Sequence, residues 1–154
     1  LNYKNKPCGS FGDISTFSFY ANKQITTGEG GMISTNNPKI YKKCLSLRNL
    51  CFGKKNRFNH DDIGWNYRLT NMQAALGISQ LKRLQKTVKE KMSIGNYYYK
   101  KLSLNKNIYM TPPIIDNYKN IYWVVGILIK NKKILASKII KKLNRYGIGA
   151  RPFF

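Results

Sequence analysis

Acidic side chains are scarce in this chain: six Asp and Glu stand against 28 Lys and Arg, leaving a formal charge of +22 over 154 residues. Such a charge draws any polyanion, whether nucleic acid, an anionic membrane surface or a phosphorylated metabolite. The lysines, however, are spread along the whole length among Asn, Ile and Tyr, as a compositional bias of the coding sequence would leave them. No nucleic-acid-binding module accompanies them, so no nucleic-acid partner is expected, and a basic nucleic-acid-binding protein stands as the alternative from a different class. Cysteine occurs three times, at Cys8, Cys44 and Cys51. An odd count at those spacings matches neither a disulfide framework nor a zinc site, which points to a reducing cytoplasm and to no metal. Long apolar runs are missing too. The longest, residues 121–129, is about half of what a membrane-spanning helix needs, so no membrane association is expected. No signal peptide is visible.

The length suits one ordinary core. The chain starts at Leu1 rather than methionine and stops at Arg151-Pro152-Phe153-Phe154 without a polar tail, so it is read as an interior piece of a longer protein.

Residues 14–20 alternate and are rich in β-formers, and residues 31–35 read as a second short strand after the turn Gly28-Glu29-Gly30-Gly31. Lys23 lies between the two. Residues 38–50 keep helical spacing through Ile40, Tyr41, Cys44, Leu45 and Leu47, with Pro38 allowed in the first turn. Residues 51–66 show little periodicity and read as a long exposed loop of the kind that carries function. Thr70 and Gln73 form a capping-box pattern that opens one helix running to Leu102, slim in its first turns through Ala74, Ala75, Gly77 and Ser79 and therefore able to pack closely. Thr111-Pro112-Pro113 breaks it. A polar turn over residues 116–120, a strand over 122–129 and a helix over 132–146 with Gly147 as its cap follow, and then a new extended segment begins at Ile148. Strand, helix and new extended segment read as the start of a second α/β unit.

Taken by itself, Lys23 is one lysine among many. Its setting is nevertheless that of a Schiff-base lysine, because an apolar strand delivers it into a polar, tightly turning segment where the amine is anchored yet can reach an aldehyde. Strand alternation places Ser18 on one face with Thr16 and Tyr20, so its hydroxyl either meets a ligand near the lysine or bonds the next backbone group. The glycine turn serves either a tight hairpin or a close approach to a ligand. It has the spacing of neither a dinucleotide fingerprint nor a P-loop.

The segment Ser10-Phe11-Gly12-Asp13-Ile14-Ser15-Thr16-Phe17-Ser18-Phe19-Tyr20-Ala21-Asn22-Lys23-Gln24-Ile25-Thr26-Thr27-Gly28-Glu29-Gly30-Gly31-Met32 strongly resembles the cofactor-lysine region of nucleotide-sugar aminotransferases. These are pyridoxal-phosphate enzymes of fold type I, and the likeness is greatest to the perosamine-synthase group. A second block, His60-Asp61-Asp62-Ile63-Gly64-Trp65-Asn66-Tyr67-Arg68-Leu69-Thr70-Asn71-Met72-Gln73-Ala74-Ala75-Leu76-Gly77, resembles the same family's segment downstream of that lysine, and Arg151-Pro152-Phe153-Phe154 resembles a third, truncated motif. The three stand in family order and span essentially the whole chain.

The resemblance implies that Lys23 holds pyridoxal 5'-phosphate as a Schiff base, that Ser18 hydrogen-bonds its phosphate, and that Asn66 reaches across a homodimer interface to the phosphate of the neighbouring subunit. It implies a partial fold type I chain, the end of the large domain over residues 1–110 and the start of the small one over 111–154. The reaction implied is ping-pong: an amino group passes from glutamate to the cofactor and then to a keto group of a nucleotide-linked deoxysugar, with released Lys23 shuttling the proton. Arg68 either adds positive charge near phosphate or is a surface arginine, and His60 reads as structural. The family's pyridinium-pairing aspartate and ring-stacking residue would lie upstream of Leu1, so the isolated piece is expected to be inactive. Two rivals share the fold, a pyridoxamine-phosphate-dependent sugar dehydratase, which carries histidine in place of the lysine, and a non-catalytic regulator.

Overall fold

The computed structural model describes residues 2–116 and 118–153. Leu1, Phe154 of the terminal block and Asn117 of the expected polar turn lie outside the described residues. Two compact units are present, Leu1–Thr87 and Val88–Phe154.

In the first unit, β1 (Asn2–Tyr3) and β2 (Lys6–Pro7) form a tight antiparallel hairpin. Lys4 and Asn5 turn it in left-handed conformations, φ 46° and 60°, whose twist matches that of the flanking strands. The expected pair around Lys23 forms as β3 (Ser15–Ser18) and β4 (Gly31–Ser34), antiparallel from Ser15 opposite Ser34 to Ser18 opposite Gly31. Helix α1 spans Pro38–Arg48. The Asn37 side chain caps it by accepting the N–H groups of Lys39 and Ile40 at 2.9 and 3.3 Å, donors that have no partner within the helix.

The capping box forms as expected: Thr70 Oγ1 accepts Gln73 N–H at 3.2 Å while Gln73 Oε1 accepts Thr70 N–H at 3.0 Å. It opens α2 (Asn71–Lys82), but the single helix expected to Leu102 is interrupted. Arg83 takes φ −102°, ψ 0° and donates its N–H to Gln80 O at 3.0 Å, and α3 (Leu84–Leu102) restarts after it. No glycine or proline marks the break, and the apolar period runs straight through it, which is why the pattern reads as continuous.

The expected loop over 51–66 is exposed along most of its length, yet it begins on a fully buried residue, Cys51. It folds back as isolated bridges pair Asn49 with Asn66 and Phe52 with His60.

The second unit holds the rest of α3 and the strands β5 (Ile108–Met110), β6 (Ile114–Ile115), β7 (Tyr118–Lys119) and β8 (Ile127–Ile129), paired antiparallel as β5 with β8 and β6 with β7. The strand expected over 122–129 is therefore present only in its last three residues. Tyr122 has φ 47° and gives its N–H to Asn120 Oδ1 at 2.9 Å, so a turn occupies the start of that β-prone run. Helix α4 covers Ala136–Arg145 rather than 132–146, because Asn131 ties down the N–H groups of Lys133 and Ile134 in a turn of its own. At its end Gly147, φ 73°, donates to Asn144 O at 3.0 Å and Ile148 to Leu143 O at 3.1 Å, the paired bonds of a Schellman cap.

Among the described residues the buried set is small: Thr27, Cys51, Gly95, Met110 and Tyr122. Large apolar side chains such as Met72, Phe58 and Leu104, each more than 80% exposed, face outward instead. Among the described residues no helix is long and apolar enough to cross a membrane.

Candidate active site

The β3–β4 ladder ends at Ser18 and Gly31, and the segment between them is tied at a neck. Phe19 N–H donates to Gly30 O at 2.8 Å, and Phe19 O accepts both Thr27 N–H at 2.9 Å and Thr26 Oγ1–H at 3.1 Å. Beyond the neck, Lys23 N–H bonds Tyr20 O at 3.0 Å, so the lysine closes a turn on a backbone fixed on both sides. Its side chain is half-buried.

Helix α2 clamps the same loop from the side. Gln80 Oε1 accepts Thr26 N–H at 3.3 Å, and Gln73 Nε2 donates to Glu29 O at 3.1 Å while its oxygen serves the capping box. Between them Gly77 lets the helix come close; a Cβ there would stand 3.1 Å from Thr27 Cγ2. Of the small residues read from the sequence, Gly77 lies against the lysine loop, where Thr27 is buried, while Ala75 and Ser79 are exposed. Gly30 completes the neck at φ 144°, where an added Cβ would come within 2.6 Å of Thr27 Oγ1 and 3.2 Å of Leu69 Cδ1.

Ser18 stands at the strand end, exposed, and its Oγ accepts Tyr20 N–H at 3.3 Å. That bond uses a lone pair and leaves the O–H donor available in direction. Asn66 is carried by a different segment. Its Oδ1 accepts Arg68 Nε–H at 2.8 Å, and Arg68 Nη1 donates to Asn49 Oδ1 at 3.2 Å. The structure therefore places Ser18 and Lys23 on one continuous hairpin and gathers Asn66 with Arg68 and Asn49 in a second group. His60, which reads as structural, has its ring 5.1 Å from that of Phe52, and its Nδ1 donates to Leu50 O at 2.6 Å, a carbonyl being able only to accept.

Lys43 on α1 pairs with Asp62 of the 51–66 loop. The hydrogen bond from Lys43 holds the Asp62 carboxyl below its usual range, helped by the Ile63 N–H, and the same hydrogen bond raises Lys43.

The clamping residues Gln73, Gln80 and Thr26 were not legible as such in the sequence. Gln80 and Thr26 are 54 positions apart, and Gln73 signalled only its cap. Asn49, at the end of α1, carried no signal at all. The donors present suit a phosphorylated aldehyde cofactor: one anchored amine, one hydroxyl with its proton unspent, and one amide. Among the described residues no group of three or more His, Cys, Asp or Glu could hold a metal ion.

The model of the DegT/DnrJ/EryC1/StrS aminotransferase family matches residues 1–154. GDP-perosamine synthase of Escherichia coli O157:H7 is 39% identical over 155 residues, covering 99% of this chain and 41% of that protein. Among solved structures, Helicobacter pylori PseC, an aminotransferase involved in the biosynthesis of pseudoaminic acid, is similar with TM-score 0.79 and 32% identity over 95% of this chain and 40% of its own. The E. coli GDP-4-keto-6-deoxy-D-mannose-3-dehydratase with bound hydrated PLP is similar with TM-score 0.82 and 26% identity, over 98% of this chain and 43% of its own. The likeness identifies the chain as a partial α/β structure of fold type I, and it spans about two fifths of the length of the curated relatives it matches.

Proposed function

The chain belongs to the DegT/DnrJ/EryC1/StrS aminotransferase family, and we propose that it is part of a longer enzyme that moves an amino group from glutamate to a keto group of a nucleotide-linked deoxysugar, in polysaccharide precursor synthesis. The observation that carries this reading is the position of Lys23, half-buried at the closed turn of a hairpin loop that α2 grips at Thr26 and Glu29. An amine that must swing between two partners during a reaction needs a backbone that stays still, and this loop supplies one.

When bound, pyridoxal phosphate supplies an aldehyde for the lysine and an electron sink for the substrate carbon. Lys23 Nζ would hold it, and once free would take the proton from the substrate carbon and return it. Ser18 Oγ–H would donate to a phosphate oxygen, and Asn66 would do so from the neighbouring subunit of a homodimer. The pyridinium partner and the ring-stacking residue would come from the rest of the polypeptide, in which residues 1–110 complete the large domain and 111–154 begin the small one. The compartment proposed is a reducing cytoplasm, with which the free thiols of Cys8, Cys44 and Cys51 accord. The dehydratase reading is set aside on Lys23 itself, since that chemistry goes with histidine at this position.

The test is reduction of the full-length protein with borohydride after loading with pyridoxal phosphate. The expected result is a visible absorbance band of the lysine-bound cofactor, lost on reduction, and a covalent label on Lys23. Labelling elsewhere, or no band, refutes the proposal. Mixed dimers of Lys23→Ala and Asn66→Ala subunits should regain activity, and failure of two folded partners to do so would refute the shared site.

A further inference from the structure

The backbone explains why Asn49 and Asn66 meet. Leu50 N–H donates to Trp65 O at 3.0 Å and Tyr67 N–H to Arg48 O at 2.9 Å, bracketing an antiparallel bridge in which Asn49 faces Asn66. Asn49 is itself fixed as the last residue of the α1 turn, its N–H on Ser46 O at 3.1 Å, and it is half-buried. Arg68 then spans the two amides, with Nε on Asn66 Oδ1 at 2.8 Å and Nη1 on Asn49 Oδ1 at 3.2 Å.

A guanidinium has five N–H donors and no acceptor, so whatever amide atom faces it must be the oxygen. The terminal amide of an exposed asparagine is otherwise free to rotate and to present either its acceptor or its donors. Here that freedom is removed: with Oδ1 held by Arg68, the Nδ2 group points away from the guanidinium and offers two N–H donors outward. An anion can be met by that face, whereas the oxygen would repel it. A lysine could supply the same charge but not the same fork, because its ammonium is a point charge on a flexible stem.

We infer that Arg68 is a positioning residue which, anchored on Asn49, fixes the Asn66 amide with its Nδ2 donors toward a phosphoryl oxygen. This rests on the reading that Asn66 meets the cofactor phosphate. Arg68 acts through Asn66 and contributes little as a charge of its own.

The test compares apoprotein binding of pyridoxal phosphate with that of pyridoxal, which lacks the phosphate, by fluorescence quenching of the full-length protein. Arg68→Met should weaken pyridoxal phosphate about tenfold, the scale of one charge-assisted hydrogen bond, and leave pyridoxal within about twofold. Arg68→Lys should behave like Arg68→Met, and Asn49→Ala should show a smaller loss with the same selectivity. The double variant Arg68→Met/Asn66→Ala should bind no worse than Asn66→Ala, as expected when one residue acts through the other. Additive losses, wild-type affinity in Arg68→Lys, or equal weakening of both ligands would overturn the inference. If Asn66→Ala alone leaves pyridoxal phosphate affinity unchanged, the underlying phosphate reading fails and takes this inference with it. If Asn66→Ala weakens binding while Arg68→Met and Asn49→Ala do not, only the inference fails.

Discussion

Gln80 on α2 accepts the backbone N–H of Thr26, three residues beyond Lys23, at 3.3 Å. A loop of this kind has few bonds to lose, and this one crosses from helix to loop at a part-buried position. Gln80→Leu keeps similar bulk but leaves the N–H without an acceptor, at a cost of about 1–3 kcal/mol for a buried donor. Amide exchange over residues 20–30 of the full-length protein should accelerate, and borohydride labelling of Lys23 should fall. Gln80→Glu retains an acceptor and should keep the protection of the wild type. Equal protection in Gln80→Leu would show that the loop is held by other means.

In the second unit the Tyr122 ring covers Gly95 so closely that a Cβ at position 95 would overlap ring carbons. Tyr122 is 4% exposed, sits at φ 47°, and donates its hydroxyl to Thr111 O at 3.2 Å. A backbone this unfavourable for a tyrosine persists because ring burial and that bond over-determine it. Gly95→Ala should therefore destabilise by about 1–3 kcal/mol, the usual cost of overpacking, although alanine is the better helix former. Thermal unfolding of the full-length protein measures it; an unchanged or raised midpoint would mean that the ring moves aside freely.

What could be read from the sequence was local. The Lys23 hairpin, the Thr70–Gln73 box and the Gly147 cap each lie within one short stretch whose residue types dictate a conformation, and all three formed. Features decided by distant partners were hidden. The β-prone run at 122–126 was overridden by the fit of Tyr122 onto Gly95, twenty-seven positions earlier in the chain. The break at Arg83 leaves the apolar period intact, so no pattern reports it. The hairpin that carries Ser18 and Lys23 was legible because its residues are neighbours in the chain, whereas the Arg68 fork depends on a bridge between positions 49 and 66 that periodicity does not encode.

The Lys43–Asp62 pair fastens the 51–66 loop to α1, and its pH window follows from the two directions of shift. Asp62 is lowered from an ordinary 3.8, so its contribution is present above that value and is lost as pH falls through the depressed one. Lys43 is raised from 10.5, so its contribution is complete below that value and is lost as pH rises beyond it. With both side chains more than half exposed, the effect is small and screened by salt. Asp62→Asn should slightly speed amide exchange around residues 59–63 at pH 7 in low salt, and the difference from wild type should fade only as pH falls below the ordinary carboxylate range, through the depressed value. A difference that persists in acid would assign the effect to the Asp62–Ile63 backbone contact instead.

Gly30 joins two constraints that a pair of substitutions can separate. Its φ of 144° is strained for any residue with a side chain, and a Cβ would press to 2.6 Å from Thr27 Oγ1. That hydroxyl donates to Glu29 O at 2.6 Å, and Glu29 O also receives Gln73, so rotating Thr27 away would loosen the grip of α2 on the lysine loop. Gly30→Ala should cost at least about 2 kcal/mol, combining backbone strain of about 1–3 kcal/mol with the displaced hydroxyl. Adding Thr27→Ala removes the obstacle but not the strain. The double variant should therefore be more stable than the sum of the two single losses implies, with a coupling of about 1 kcal/mol in a thermodynamic cycle. Simple additivity would mean that backbone conformation alone demands glycine, and that the Thr27 hydroxyl is a bystander to the shape of the neck.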